Sequence, residues 1–370
     1  MTTTDRKPGT ETGRSQDSSG TKGARLAEVL ELGRAQSCGP VTVIPLSAAT
    51  EEGPWYVTLG EATEAGCCRV AEVDEGGSVP ELRVDNKGDA RVLVLDGEEL
   101  RGAKQNRVLN TTILVGKQSS LVVPVSCTEQ GRWSYESHEF FAAEYIAERK
   151  VRAGLQVTVD ASVRSGRGHR SDQSRVWEEV RALHADQATS SPTGAMRGAF
   201  ESRDGELQDY VDGLPAVDGQ RGLIVLLGDA VVGLDFLSIP EKYARVHAKL
   251  VRSYALGALG ARGTAAAAAP SAGDALDRAH AFLARVSGLS GERFKSPGLG
   301  WDTRFAGPGV VGSLLTYRDQ PIHAAFFAVD GGDEDRGRES GTAGRIAGAR
   351  VRARARGRWG GSHRPRGTAK

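Results

Sequence analysis

No stretch of this 370-residue sequence approaches the roughly 18 uncharged apolar residues of a membrane-spanning helix; the nearest run is Ala265–Ala269, between Thr264 and Pro270. The N-terminal segment, polar and rich in Thr, Ser and Gly, also lacks the apolar stretch of a secretory signal, so no export is expected. Cysteine is scarce. Cys38, Cys67, Cys68 and Cys127 form no CxxC pair, and the adjacent Cys67 and Cys68 are too close to clamp a loop, a pattern that fits reduced thiols in a cytoplasmic protein. The seven histidines show neither HxH nor HExxH spacing, so spacing does not point to zinc, and any metal or cofactor stays unassigned.

Net charge is nearly absent too, at +1, but this is a cancellation. After Asp330 the chain carries eleven Lys and Arg against four acids, a tail of +7 on a body of −6. That balance excludes a globally basic nucleic-acid surface and leaves only weak phosphate contacts through the tail. Residues 1–24 and 331–370 hold too few large apolar side chains to fold alone and are expected to be disordered, flanking a domain over residues 25–330.

What is present first is a series of short strands: Val41–Pro45, Trp55–Leu59, Glu81–Val84, Val92–Leu95, Val108–Val115 and Leu121–Ser126, separated by Gly, Asn, Asp or Pro. The gaps are too short for crossover helices, so mostly antiparallel pairing is expected. Leu155, Val157, Val159, Ala161 and Val163 alternate with more polar residues and predict another strand. Helices are predicted where Ser171 caps Val176, Val180 and Leu183, where Ser238-Ile-Pro-Glu241 forms a capping box, and over Asp274–Val286 up to Gly288. Strands return at Ser313–Tyr317 and Ile322–Val329. The fold class expected is α+β, mostly antiparallel sheets with several helices. VLVLDGEELRG at Val92–Gly102 lines up without a gap with LIVLLGDAVVG at Leu223–Gly233, which suggests a strand–turn–strand unit used twice and two related halves.

Polar side chains are densest between apolar strands in residues 96–133, DGEELRGAKQNRVLNTTILVGKQSSLVVPVSCTEQGRW. If Glu98–Arg107 is extended, Glu98, Lys104 and Asn106 share one face and Glu99, Gln105 and Arg107 the other. Each face then holds an acid, an amide and a cation. Lys104 or Arg107 suits phosphate or carboxylate, Gln105 and Asn106 bond in both directions, and Glu98 or Glu99 suits a general base or a metal ligand. Glu129, Arg132 and Trp133 could complete the same pocket. The alternative is a structural ion-pair network.

Sharper motifs fall short. Cys127 to Arg132 is C-x4-R, one residue short of a phosphatase cradle, and Glu129 inside it would repel phosphate. Cys127 with His138 as its base competes with simple packing of a small thiol. Gly307-Pro-Gly-Val-Val-Gly312 satisfies GxGxxG but lacks the strand before it and the helix after it, so it reads as a turn. His323 lies in an apolar strand and reads as a core histidine.

The runs LDGEELRGAKQNRVLNTTILV and VPVSCTEQGRW, with Gln173, Val176-Trp177, GLDF at Gly233–Phe236, GLGWDTRF and His323-Ala-Ala-Phe326, together resemble the ADP-ribosylglycohydrolase (ARG) and rhodanese-phosphatase-superfamily-associated protein domain over roughly Gly39–Val329. The resemblance implies a polar signature of Asp96, Glu98, Glu99, Lys104, Gln105, Asn106, Arg107, Asn110, Glu129, Arg132 and Trp133. By association it also implies an ADP-ribose, NAD-derived or similar phosphorylated nucleotide as ligand. An enzyme with Glu98, Glu99 or Glu129 in catalysis, a non-catalytic binding module and a structural or interaction protein are the three functional classes left.

Overall fold

The structure is a computed structural model that describes residues 22–49, 53–74, 79–137, 139–260 and 268–329. The ends expected to be disordered lie outside it, except that the helix Lys22–Val29 begins before residue 25. The start of the alanine run also lies outside the described residues.

Among the described residues a nine-stranded antiparallel sheet runs in the order Leu30–Leu32, Val41–Ala48, Gly222–Leu227, Ala230–Leu237, Gln320–Ala328, Val310–Tyr317, Trp301–Gly307 and Gly291–Lys295, with Gln36–Cys38 also paired to Val41–Ala48. Its central strands are apolar at nearly every position because both faces are covered. Val43, Val225 and Leu315 join the core under the helices Arg149–Arg164 and Pro240–Leu259, while Ile44, Ile224 and Phe326 meet Phe282 of the helix Ala272–Ser287 on the other side.

A closed barrel forms the second β system, in the order Ser119–Cys127, Glu81–Asn86, Cys68–Glu72, Phe140–Ile146, Glu98–Gly102 and Arg107–Leu109, the last pairing back to Ser119–Cys127. Closure leaves no free edge. Val70, Leu82, Leu100, Leu109, Val125 and Phe140 fill its interior. A small sheet of Ile113–Val115, Arg91–Val94 and Tyr56–Thr58 adjoins it and contains one parallel pair. The fold is therefore α+β with mostly antiparallel sheets, and no described helix is long and apolar enough to cross a membrane.

Several local expectations are corrected. Residues 155–163 are helical, within Arg149–Arg164, and almost every residue of that helix from Val151 to Val163 is buried. Val108–Val115 is two strands broken at Asn110–Thr112. Asp172 rather than Ser171 caps the helix Gln173–Asp186, accepting from the Ser174 and Arg175 amides. No side chain caps Pro240–Leu259, where Pro240 supplies the first turn. The GxGxxG segment is a turn as expected, the hairpin between Trp301–Gly307 and Val310–Tyr317. The two similar segments share an apolar strand followed by a glycine at positive φ, Gly97 at 75° and Gly228 at 56°. Gly222–Leu227 and Ala230–Leu237 then pair as a hairpin, whereas Arg91–Val94 and Glu98–Gly102 go to different sheets.

Candidate functional site

Residues directly opposite across an antiparallel ladder share a face, so the register decides what enters the barrel. Leu100, Arg107 and Cys127 stand in one cross-strand row, Leu109 and Val125 in another, and Glu72 pairs with Leu82. Leu82, Leu100, Leu109 and Val125 are interior. Arg107, Cys127 and Glu72 therefore also point inward, at one end of the barrel, where the apolar filling gives way to a cation, a thiol and an acid. The loop 103–106 lies at the same end. It is a turn with Ala103 at a φ of 42°, so Glu98–Arg107 is not one extended run and the two shared faces expected of it do not exist.

Arg107 is fully buried. Its Nη1 donates to the Gln105 Oε1 at 3.0 Å, and the same oxygen accepts from the Cys127 thiol at 3.1 Å. Among the described residues, neither Arg107 Nε nor Nη2 finds an acceptor in good hydrogen-bond geometry, and the Lys104 backbone amide approaches the buried Glu72 carboxyl without making a well-formed bond to either oxygen. Nη2 stands 3.8 Å from Glu72 Oε1, an ion pair too long for a hydrogen bond. Burial pushes the Glu72 carboxyl above the usual carboxylate range, against the pull of Arg107 and Lys104. Burial also raises the Cys127 thiol despite Arg107, which disfavours the thiolate a nucleophile needs. His138, its expected base, lies outside the described residues. Above this group, Lys104 Nζ sits 5.5 Å from the Trp133 ring and 5.0 Å from that of Tyr135, with the Arg107 guanidinium 5.8 Å from Trp133. Both rings are about half exposed, at 51% and 50%.

The other expected site residues divide between the barrel's outer wall and its neighbours. Glu99 faces outward opposite Val108 and is sealed; Thr128 donates to its Oε1 at 3.3 Å, and burial pushes its carboxyl up to about 7 against Arg197 and Thr128. Burial alone would also raise Glu129, but Arg132, Thr193 and the Asn106 amide hold its carboxyl below the usual range. Arg132 continues to Asn106 Oδ1 at 3.2 Å and to the Ala103 carbonyl at 2.8 Å, tying the loop 103–106 to 129–132. Glu98 points away, to the Leu95 amide and to Lys249 Nζ at 3.4 Å. Asn110 bonds Ser126 and the His169 carbonyl. The structure thus gathers Lys104, Gln105, Arg107 and Trp133 at the barrel end. Asn106, Glu129 and Arg132 brace it, Glu99 lies behind the wall, and Glu98 and Asn110 belong elsewhere.

Sequence reading missed Glu72, although Cys68, Val70 and Glu72 alternate and would have set an acid on an apolar face. It also left unconnected a second buried group. Arg152 bonds Asp235 at 2.6 Å and 3.0 Å and Asp96 at 3.3 Å, Tyr254 donates to Asp235 at 2.7 Å, and His323 Nδ1 lies 2.9 Å from Thr112 Oγ1. Gln156 bonds Asp96 and links it to Arg304, which with His169 holds Asp302. Burial would raise Asp235, yet Arg152 and His323 keep it far below the usual range. Each of these residues has at least one charged or hydrogen-bonded partner and is sealed, which is the pattern of an internal support, although Arg152 Nε and His323 Nε2 find no hydrogen-bond partner among the described residues. A cavity of about 600 Å³ lined by Ser162, Arg167, Arg170, Ser171 and Gln173 opens beside the barrel wall, and Gln173 also bonds the Cys127 amide and carbonyl at 2.7 and 2.9 Å. Among the described residues, no group of three or more His, Cys, Asp or Glu is placed to hold a metal ion.

The family model for the ARG and Rhodanese-Phosphatase-superfamily-associated Protein domain matches residues 29–327, and the chain belongs to that family. No curated protein and no solved structure matches it.

Proposed function

We propose that this member of the family binds a small anionic ligand carrying a planar ring, of the ADP-ribose, NAD-derived or similar phosphorylated nucleotide class, at the end of the barrel marked by Arg107. The observation that carries the reading is a fully buried guanidinium with two nitrogens that lack hydrogen-bond acceptors among the described residues, against the half-exposed Trp133 ring and next to Lys104 and Tyr135. A buried cation with spare donors is costly unless something supplies acceptors. Phosphate and carboxylate oxygens do so in the forked geometry a guanidinium prefers, and an exposed indole offers a face for a base to stack on. Lys104 adds a second cation at the rim. The family's name, with its association to ARG proteins, points towards the same ligand class.

Binding without turnover is favoured over catalysis by the three candidate acids. Glu98 is held by Lys249, Glu129 is saturated with donors, and Glu99 is walled off from the barrel end. Thermal unfolding with NAD, ADP-ribose and ATP, each with and without Mg²⁺, tests the proposal. One or more should raise the melting temperature, since a ligand that binds only the native state stabilises it by mass action. Arg107→Met should abolish the rise and Trp133→Ala should weaken it. A flat response across all ligands would leave the ion pairs as scaffold and reject the reading.

A further inference from the structure

Glu72 and Arg107 form a mismatched couple whose needs differ in kind. The carboxylate has two buried oxygens without a well-formed hydrogen bond among the described residues, the Lys104 backbone amide lying near them, and the guanidinium has two buried nitrogens that lack acceptors. At 3.8 Å they are near enough to feel each other's charge and too far apart to satisfy each other. Bare phosphate would serve Arg107 but meet repulsion from ionised Glu72 and leave its oxygens unpaired. An occupant that satisfies both must bring hydroxyl donors for the acid next to anionic oxygens for the cation. Two adjacent hydroxyls span the two oxygens of one carboxylate.

We infer that Glu72 reads a vicinal diol on the ligand while Arg107 holds its anionic group, so that the site selects a phosphorylated ribose over its 2′-deoxy counterpart. This rests on the proposal that the barrel end binds an anionic ligand, and it adds a specificity residue to it. Gln105 is the hinge of the arrangement, because its Oε1 already accepts from both Arg107 and Cys127 and keeps the guanidinium aimed along the barrel end.

Calorimetric titration of the full chain with adenosine 5′-monophosphate, 2′-deoxyadenosine 5′-monophosphate and inorganic phosphate separates the two ideas. The ribonucleotide should bind about ten-fold or more tighter than its deoxy form, as expected when a buried polar group loses its partner. Glu72→Gln should erase the difference between the ribonucleotide and its deoxy form, with the deoxy form binding at least as well as to the parent once the repelling charge is gone. Equal binding of the two nucleotides by the parent protein, abolished by Arg107→Met, would overturn the diol inference and leave the anion site standing. A ribose preference untouched by Glu72→Gln would also overturn it. No heat with either nucleotide would remove both ideas together. The parent comparison decides even if Glu72→Gln does not fold.

Discussion

Glu99 and Glu129 sit on either side of the same loop, and their surroundings drive their carboxyls in opposite directions. Glu129 collects donors from Arg132, Thr193 and the Asn106 amide, enough to overcome its burial. Glu99 has one weak hydroxyl donor and no exposure, so burial wins and lifts it from 4.5 to about 7. Because the folded protein then holds that proton more tightly than the unfolded chain does, this residue makes stability fall as pH rises from about 4.5 to about 7. Glu99→Gln should flatten that part of the profile. Urea midpoints for parent and variant should coincide at the acid end of the window and diverge at the upper end in the variant's favour, by at most about 3 kcal/mol. A variant that loses stability at the upper end would show that the ionised carboxylate is wanted there. Residue types were legible in the sequence at this scale, and the dense polar run from Asp96 to Trp133 does hold the barrel-end cations. Which of its acids is paired, sealed or turned away was not, because a carboxylate's state depends on donors that arrive from residues far along the chain.

Among the elements, the helix Arg149–Arg164 shows where pattern reading fails. Leu155, Val157, Val159 and Val163 alternate with polar residues like a strand and are partly β-branched, yet the segment is a helix whose polar side, with Arg152, Gln156 and Asp160, is buried as well. Helices with one exposed face, such as Ala272–Ser287 with its Ser271 cap and Gly288 end, were readable within a residue or two. Junctions between elements carry two predictions. Gly97 turns the chain at a φ of 75°, and a Cβ there would stand 2.7 Å from Arg152 Cγ. Gly97→Ala should therefore cost more than about 1 kcal/mol by backbone strain alone and also displace Arg152, lowering the thermal midpoint, whereas alanine at the open Gly205 should not. Gln173 replaces a missing strand by bonding both main-chain groups of Cys127. Gln173→Ala should cost about 1–3 kcal/mol and raise amide exchange at Cys127 specifically.

Across the whole molecule, one buried cation ties the parts together. Arg152 comes from the central helix, Asp96 from the turn that leads into the barrel, and Asp235 from the nine-stranded sheet. Arg152→Met would leave two carboxylates facing each other without compensation, and a loss of about 3–5 kcal/mol in chemical unfolding is expected. Arg101→Ala, which breaks the exposed pair with Glu136, should cost less than about 1 kcal/mol. Comparable losses for the two would show that Arg152 is not the tie. By itself the sequence determined the α+β class, the antiparallel bias, the three helices Gln173–Asp186, Pro240–Leu259 and Ala272–Ser287, and the segment that supplies the barrel-end cations. These follow from local spacing, turn residues and periodicity, which neighbouring positions encode. Barrel closure, the inward set of Glu72, Arg107 and Cys127, and the joining of Asp96, Asp235, Asp302 and His323 into one buried network were decided only by tertiary structure. Strand register and the pairing of buried charges depend on contacts between residues tens to hundreds of positions apart, and the spacing of neighbours along one chain carries no record of them.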